Sequence, residues 1–297
     1  MSYCDLESGL CGGESTQTTI QLEDQEQQTT FEILYATDPI CSHCWAMEPA
    51  WRKFLFHYGQ HVHVRHLYGG LLPGWQGFAD RGAGIFQPAD VAPHWTAVSE
   101  HYQQPINPSV WLTDPLDSSY PASIAVHAVR LLAPEQESTF LRRIREMLFL
   151  EARNIARLDI LIEAAEKIGI DAAQFRLLLE SGIAERGFQQ DLQEVKQLPV
   201  RGFPTLIMRS VTGQTAVLGG TQSFTQLEKN FLNLTGLSPS TKTPSITEVM
   251  AVYQTATTRE LADVLNFPLE DTFSILRTVG TAHVKTGESL LWIHKES

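Results

Sequence analysis

Basic residues are scarce in this sequence. Lysine and arginine total 22 against 34 aspartates and glutamates, a formal net charge of −12 over 297 residues. A surplus of that sign opposes non-specific binding to nucleic acid and to anionic membranes, so neither is expected as a partner. Long apolar runs are missing as well: none approaches the roughly 20 residues of a membrane-spanning helix. Residues 1–30 hold no lysine or arginine. Without a basic start and an apolar run they do not read as a secretory signal, and a cytoplasmic location is expected. Cysteine is rare, with Cys4, Cys11, Cys41 and Cys44 the only four. A chain of this length can bury a core without covalent staples. In a reducing compartment such cysteines more often serve catalysis or metal binding than structure. No internal repeat is present.

The chain divides by composition. Residues 1–30 are polar and acidic, with Gly12-Gly13 and a run of Ser, Thr, Gln and Glu, and read as a flexible tail. Phe31 to Ala36 reads as a strand buried on both faces. A helix is expected from about Ser42 to Tyr58, closed by Gly59, and a second strand over His61–Tyr68. Strand, helix and strand within 40 residues make a βαβ unit with parallel pairing. Residues 69–121 are irregular, with one helix over Val91–Tyr102. Helices are then expected at Ser123–Leu132, Ser138–Asn154, Arg157–Gly169, Asp171–Ser181 and Ile183–Gln197. Thr205–Arg209 and Ala216–Leu218 read as a hairpin turning at Thr212-Gly213-Gln214, and Ser223–Leu234 as a helix. The pattern is β-α-β, a helical insertion over about residues 70–198, then β-β-α. It predicts an α/β thioredoxin-like fold across 31–236.

Leu237 to Pro244 reads as a linker. Beyond it, Ser245–Tyr253, Thr258–Leu265 and Leu269–Val279 read as helices and 281–294 as a hairpin, a small winged-helix-like domain over 245–297. Acidic residues such as Glu270 and Asp271 at the start of its third helix would repel phosphates. A docking or dimerisation module is expected there rather than a DNA reader, which leaves a homodimer open.

The chemistry is expected at Cys41-Ser42-His43-Cys44, between the first strand and helix. A cysteine at a helix N-terminus meets free N–H groups and the helix dipole, which favour the thiolate. His43, when protonated, would favour it further. Cys41 is then the attacking thiol and Cys44 the resolving one, in exchange that passes through a mixed disulfide. A C-x-x-C also occurs in zinc sites, where a second ligand pair is needed. Cys4/Cys11 and His57, His61, His63 and His66 are the nearest candidates, and no metal is expected. Cys4 and Cys11 themselves could pair, relay oxidation, bind a metal, or be exposed thiols of the tail. Pro204, in Val200-Arg201-Gly202-Phe203-Pro204-Thr205, opens a strand after the insertion and is expected in cis, facing the cysteines. The Phe203 backbone would then bond an extended substrate. Trp45, Trp75, Trp95 and Trp111 could line a peptide groove, with Trp45 partly exposed beside the site and Trp111 mainly core.

The stretch Asp38-Pro39-Ile40-Cys41-Ser42-His43-Cys44-Trp45-Ala46-Met47-Glu48-Pro49, with Gly202-Phe203-Pro204-Thr205, resembles the DsbA family, especially its cytosolic FrnE-like branch. The helical segment Ile160 to Phe175 fits the same branch, and the likeness spans about residues 31–235. It carries the family's functional residues onto Cys41, Cys44 and Pro204, with Glu32 and Glu48 as candidates for its buried acid. It implies a thiol–disulfide oxidoreductase or isomerase that acts on protein or small thiol and disulfide substrates and needs no organic cofactor. The Spx adaptor proteins look similar over Asp38–Pro49. They present a client to a protease rather than catalyse exchange, and they supply the alternative reading.

Overall fold

The apolar run that begins at Phe31 becomes the central strand of a four-stranded sheet. The computed structural model describes residues 4–5, 10–11, 31–279, 281–286 and 289–294. Two short strands, β1 (Cys4–Asp5) and β2 (Leu10–Cys11), pair antiparallel with Cys4 opposite Cys11. The rest of the expected tail lies outside the described residues. In the sheet, β3 (Phe31–Thr37) runs parallel to β4 (Val62–Tyr68) and antiparallel to β5 (Thr205–Arg209), which pairs antiparallel with β6 (Thr215–Gly219). The order β4-β3-β5-β6 is the thioredoxin-like arrangement expected from the sequence.

Alternation along β3 sorts its side chains to two faces. Ile33 and Tyr35 join a cluster with Trp51, Phe54, Leu206, Met208 and Phe231. Leu34 and Ala36 join the other face, with Leu67, Val195, Ile207 and both cysteines of the C-x-x-C. Both faces are covered, so the strand reads as nearly continuous apolar sequence. The helices on the first face are α2 (Glu48–Tyr58) and α10 (Phe224–Thr235).

The helix expected over Ser42–Tyr58 is two. The first, α1 (Ser42–Ala46), is five residues long, and α2 restarts after Met47. Pro49 is the physical reason: it has no N–H to continue the ladder and sits well only in a helix's first turn.

The insertion between β4 and β5 holds α3 (Val91–Tyr102), α4 (Val110–Thr113), α5 (Tyr120–Leu132), α6 (Glu137–Phe149), α7 (Leu158–Lys167), α8 (Ala172–Glu180) and α9 (Ile183–Gln197). Expected boundaries hold to within a few residues for most. The short α4 was not expected, and α6 stops five residues early. There Ala152 adopts a φ of 53° and the Asn154 side chain donates to Pro115 O at 3.1 Å, which turns the chain away. Asp171 caps α8, accepting from Gln174 N at 2.8 Å. Among the described residues no helix is long and apolar enough to cross a membrane.

Residues 237–244 carry no helix or strand, and Ser240 N donates to the Tyr58 hydroxyl at 2.9 Å. After them come α11 (Ile246–Tyr253), β7 (Thr255–Thr257), α12 (Thr258–Leu265), α13 (Leu269–Thr278), β8 (Ala282–Thr286) and β9 (Ser289–Ile293). The three expected helices and the hairpin strands are present. The strand β7, which was not expected, pairs with β9. The hairpin's own turn, Gly287-Glu288, lies outside the described residues.

Charge joins this last segment to the body. Glu260, on α12, is 1% exposed. It accepts from Arg142 of α6 at 2.6 and 3.0 Å, from Arg52 of α2 at 3.3 Å and from Gln104 at 3.0 Å. It also closes the N-terminal capping box of α12, accepting from Thr257 N at 2.8 Å. Arg52 and Arg142 both approach Glu48, which in turn accepts from the buried Arg145 at 2.8 Å. Burial opposes the charge on Glu260, but Arg142 and Arg52 outweigh it and hold the carboxyl below its usual range.

Removing one partner of such a cluster strands the others without compensation, at about 3–5 kcal/mol. Glu260→Ala is therefore expected to lower unfolding stability by that amount in urea titrations at pH 7, and a loss well under 1 kcal/mol would contradict this account. The sign in pH follows from the lowered value. The contribution is present above the unfolded carboxyl's pKa and is lost as pH falls through the folded one, so the gap between wild type and Glu260→Ala narrows in acid.

Candidate functional site

The site begins where β3 ends. Asp38 turns the chain, accepting from Ile40 N at 3.0 Å, from Leu71 N at 2.7 Å and from the Ser119 hydroxyl at 2.9 Å. One fully buried carboxylate thus ties the cysteine loop to the segment after β4 and to the start of α5. Burial pushes its pKa up to about 6 against these bonds and the nearby Arg145. Of the candidate acids Glu32 and Glu48, Glu48 is buried and accepts from Arg145 at 2.8 Å, and Asp38 is a further buried acid that was not among them. Its place directly before Pro39, at the end of a buried strand, is the signal that could have found it.

Cys41 is the N-cap of α1. Its Sγ accepts from Cys44 N at 3.2 Å and donates to Phe203 O at 3.6 Å. The Phe203–Pro204 peptide is cis, and the structure brings Pro204, Phe203 and the cysteine loop together as the sequence pattern predicted. Both cysteines are free thiols, and both are 0% exposed. The Phe203 carbonyl, expected to be offered to a substrate strand, is engaged by the Cys41 thiol. The Phe203 ring packs on Gly69 so closely that a Cβ there would stand 1.9 Å from its tip, so a larger residue would have to displace that ring.

These contacts reverse the expected electrostatics. Burial pushes the Cys41 thiol well up, and its hydrogen bond and proximity to Cys44 add to that. Burial also opposes charge on Cys44, but the bond from Cys41, the Arg145 charge and the bond from Thr37 outweigh it and lower the Cys44 thiol. The Cys44 N–H at the start of α1 does favour the Cys41 thiolate, as expected of a helix N-terminus, but burial outweighs it. Arg145 is the other residue the sequence did not point to. From α6 it donates to Thr37 Oγ1 at 2.7 Å, to Asp38 O at 3.3 Å and to Glu48. Only the tertiary fold brings it under the loop.

His43 is also fully buried, with its ring 5.6 Å from that of His94 and 5.9 Å from that of Tyr102. Trp45 was expected partly exposed, as a substrate contact. It is instead 0% exposed, stacked on Phe149 at 5.3 Å, with Arg142 4.6 Å above its ring and its Nε1 donating to Pro105 O at 2.9 Å. The insertion folds over it. Trp111 is core, as expected. Glu32 pairs with Arg209 on the sheet, away from the cysteines. Among the described residues no three His, Cys, Asp or Glu side chains gather as a metal site.

A family model described as Thioredoxin matches residues 34–229. The ClpXP adapter protein SpxH of Halalkalibacterium halodurans is 34% identical over 204 residues, which are 69% of this chain and 66% of that protein. The ClpXP adapter protein SpxH of Shouchella clausii is 30% identical over 284 residues, 94% of this chain and 90% of the relative. Among solved structures, the cytosolic disulfide reductase DsbM from Pseudomonas aeruginosa is similar with a TM-score of 0.54 and 22% identity, over 68% of this chain and 99% of that one. That last likeness is one of fold. The two relatives overturn the reading of the chain as a thiol–disulfide oxidoreductase of the FrnE-like branch, because both are named as adapters. An attacking thiol needs ionisation and access, whereas Cys41 is 0% exposed and burial pushes its thiol up.

Two measurements check this description. Asp38 has a folded pKa near 6 against an unfolded value of 3.8. Between these pH values the folded chain holds a proton that the unfolded chain has released, so stability falls as pH rises, by up to about 3 kcal/mol in all. Asp38→Asn is expected to flatten that slope in denaturant titrations between pH 4 and 6. Trp45→Ala is expected to lower stability by about 3–5 kcal/mol, and a loss near zero would mean that the ring is not the packed core element described.

Proposed function

The chain belongs to the thioredoxin family, within the group of its SpxH relatives, and from that premise we propose that it is an adaptor that presents client proteins to the ClpXP protease. The observation that carries this reading is the complete burial of Cys41. An exchange catalyst must offer a sulfur to a disulfide held by another molecule. Here that sulfur lies in an apolar cluster with Leu34, Leu67, Val195 and Ile207 and its proton is directed at a carbonyl. A thiol in such surroundings behaves as a small apolar side chain. An adaptor needs shape and surface rather than a reactive atom, and a closed thioredoxin-like body with a helical insertion and a firmly joined C-terminal segment provides both.

The partners on this reading are proteins, the client and the protease, and the place of work is the cytoplasm. The acidic balance of the chain favours partners with basic or neutral contact surfaces.

The test is reconstitution. A client that co-purifies with the chain is expected to be degraded by purified ClpXP faster when the chain is present. The double variant Cys41→Ala, Cys44→Ala is expected to retain that acceleration, because the thiols contribute packing only. Loss of delivery in a folded double variant, or turnover of insulin disulfides by the wild type, would sink the proposal.

A further inference from the structure

Cys4 and Cys11 lie outside the cysteine loop, and the backbone pairs them with each other. In the antiparallel ladder of β1 and β2, Cys4 stands directly opposite Cys11 and Asp5 opposite Leu10. Opposite residues of an antiparallel ladder share one of its faces. Their Cα atoms are about 4.5 Å apart in a non-hydrogen-bonded pair and about 5.5 Å apart in a hydrogen-bonded one. A disulfide spans Cα separations of about 4.4–6.8 Å, so this register suits one in either case. A slip of a single residue would put the two cysteines on opposite faces.

A bond between these positions would close a ring of eight residues, Cys4 through Cys11, and remove the open conformations that compete with strand pairing. By reciprocity the ladder favours the bond as much as the bond favours the ladder. The other two cysteines offer a contrast. Cys41 and Cys44 are 0% exposed, and exchange with a small disulfide needs an accessible thiolate.

We propose that Cys4 and Cys11 form a reversible disulfide, the oxidant-responsive site of this chain, whose redox partner is a low-molecular-weight disulfide such as oxidised glutathione. One cysteine thiolate attacks a sulfur of the small disulfide. The S–S bond of that molecule breaks, one small thiolate leaves, and a mixed disulfide forms on the protein. The second cysteine thiolate attacks the protein sulfur of the mixed disulfide and expels the second small thiolate. The two cysteines lose two electrons and the small disulfide gains them, while the two cysteine protons end on the two small thiols. An excess of small thiol drives the same steps backwards, so under reducing conditions the pair rests as a dithiol.

The experiment equilibrates the full chain with mixtures of reduced and oxidised glutathione, blocks free thiols with N-ethylmaleimide and digests with a protease that cleaves after glutamate. Cleavage at Glu7 and Glu14 leaves a Cys4–Cys11 bond as residues 1–7 joined to residues 8–14 in the mass spectrum. That linked pair is expected to grow with the oxidised fraction, in a chain that runs as a monomer on a non-reducing gel, and to vanish with added reduced glutathione. Cys41 and Cys44 are expected to take up maleimide only in denaturant.

Two cysteines this close in a flexible chain also join without a ladder, so a variant tests the register. Leu10→Cys combined with Cys11→Leu keeps two cysteines but moves one to the place opposite Asp5, on the other face. The ladder is expected to make disulfide formation in this variant less favourable by about fivefold or more, because the bond has to distort the pairing. In a flexible chain, one residue of ring size changes the equilibrium by less than about twofold. Equal constants for wild type and variant, separate glutathione adducts on Cys4 and Cys11 with no linked pair, or links from either to Cys41 or Cys44 would overturn the proposal.

Discussion

A chain of buried charge holds this molecule in one arrangement. It runs from Arg145 through Glu48 to Arg52 and Arg142, and ends on Glu260. Arg145 anchors the end of β3 through Thr37 and Asp38. Glu260 anchors the start of α12 through its own capping box. Sheet, insertion and C-terminal segment are thus bound through shared ions, each of which depends on its neighbours for compensation. Such clusters add little net stability over apolar packing, but they penalise every arrangement that leaves a member unpaired. That penalty holds α12 against α2 and α6 in a single register.

The same cluster sets the character of the cysteine loop. Arg145 lies near Cys44, and its charge and the bond from Thr37 favour an anion there. Cys41 meets Phe203 O, the Cys44 amide and apolar side chains. A thioredoxin-like frame, a C-x-x-C and a facing cis-proline are therefore present together without an exposed attacking sulfur. Fold and motif alone do not carry function, which depends on the surroundings of the particular residues.

Much of this was legible along the chain. Period-two and period-3.6 patterns located the strands of the main sheet and nearly all the longer helices, because each buries a face whose spacing is set by local geometry. Cys41, Cys44 and Pro204 could be placed together because the β-α-β…β-β-α order leaves few ways to arrange them. The break at Met47 was readable in principle from Pro49. Strand β7 was not, since three residues carry too little pattern and owe their pairing to β9.

The sequence by itself determined the elements, their order and the juxtaposition of loop and proline, since these follow from neighbours within a turn or a strand. Only the tertiary structure decided that Trp45 is covered, that Cys41 is sealed, that Asp38 is a buried acid under the loop and that Arg145 and Glu260 share one ionic cluster. Each of these depends on groups brought together across long stretches of chain. Arg145 and Glu48 are 97 residues apart and Arg142 and Glu260 are 118 apart. Burial and charge compensation belong to that packing, and no local periodicity records them.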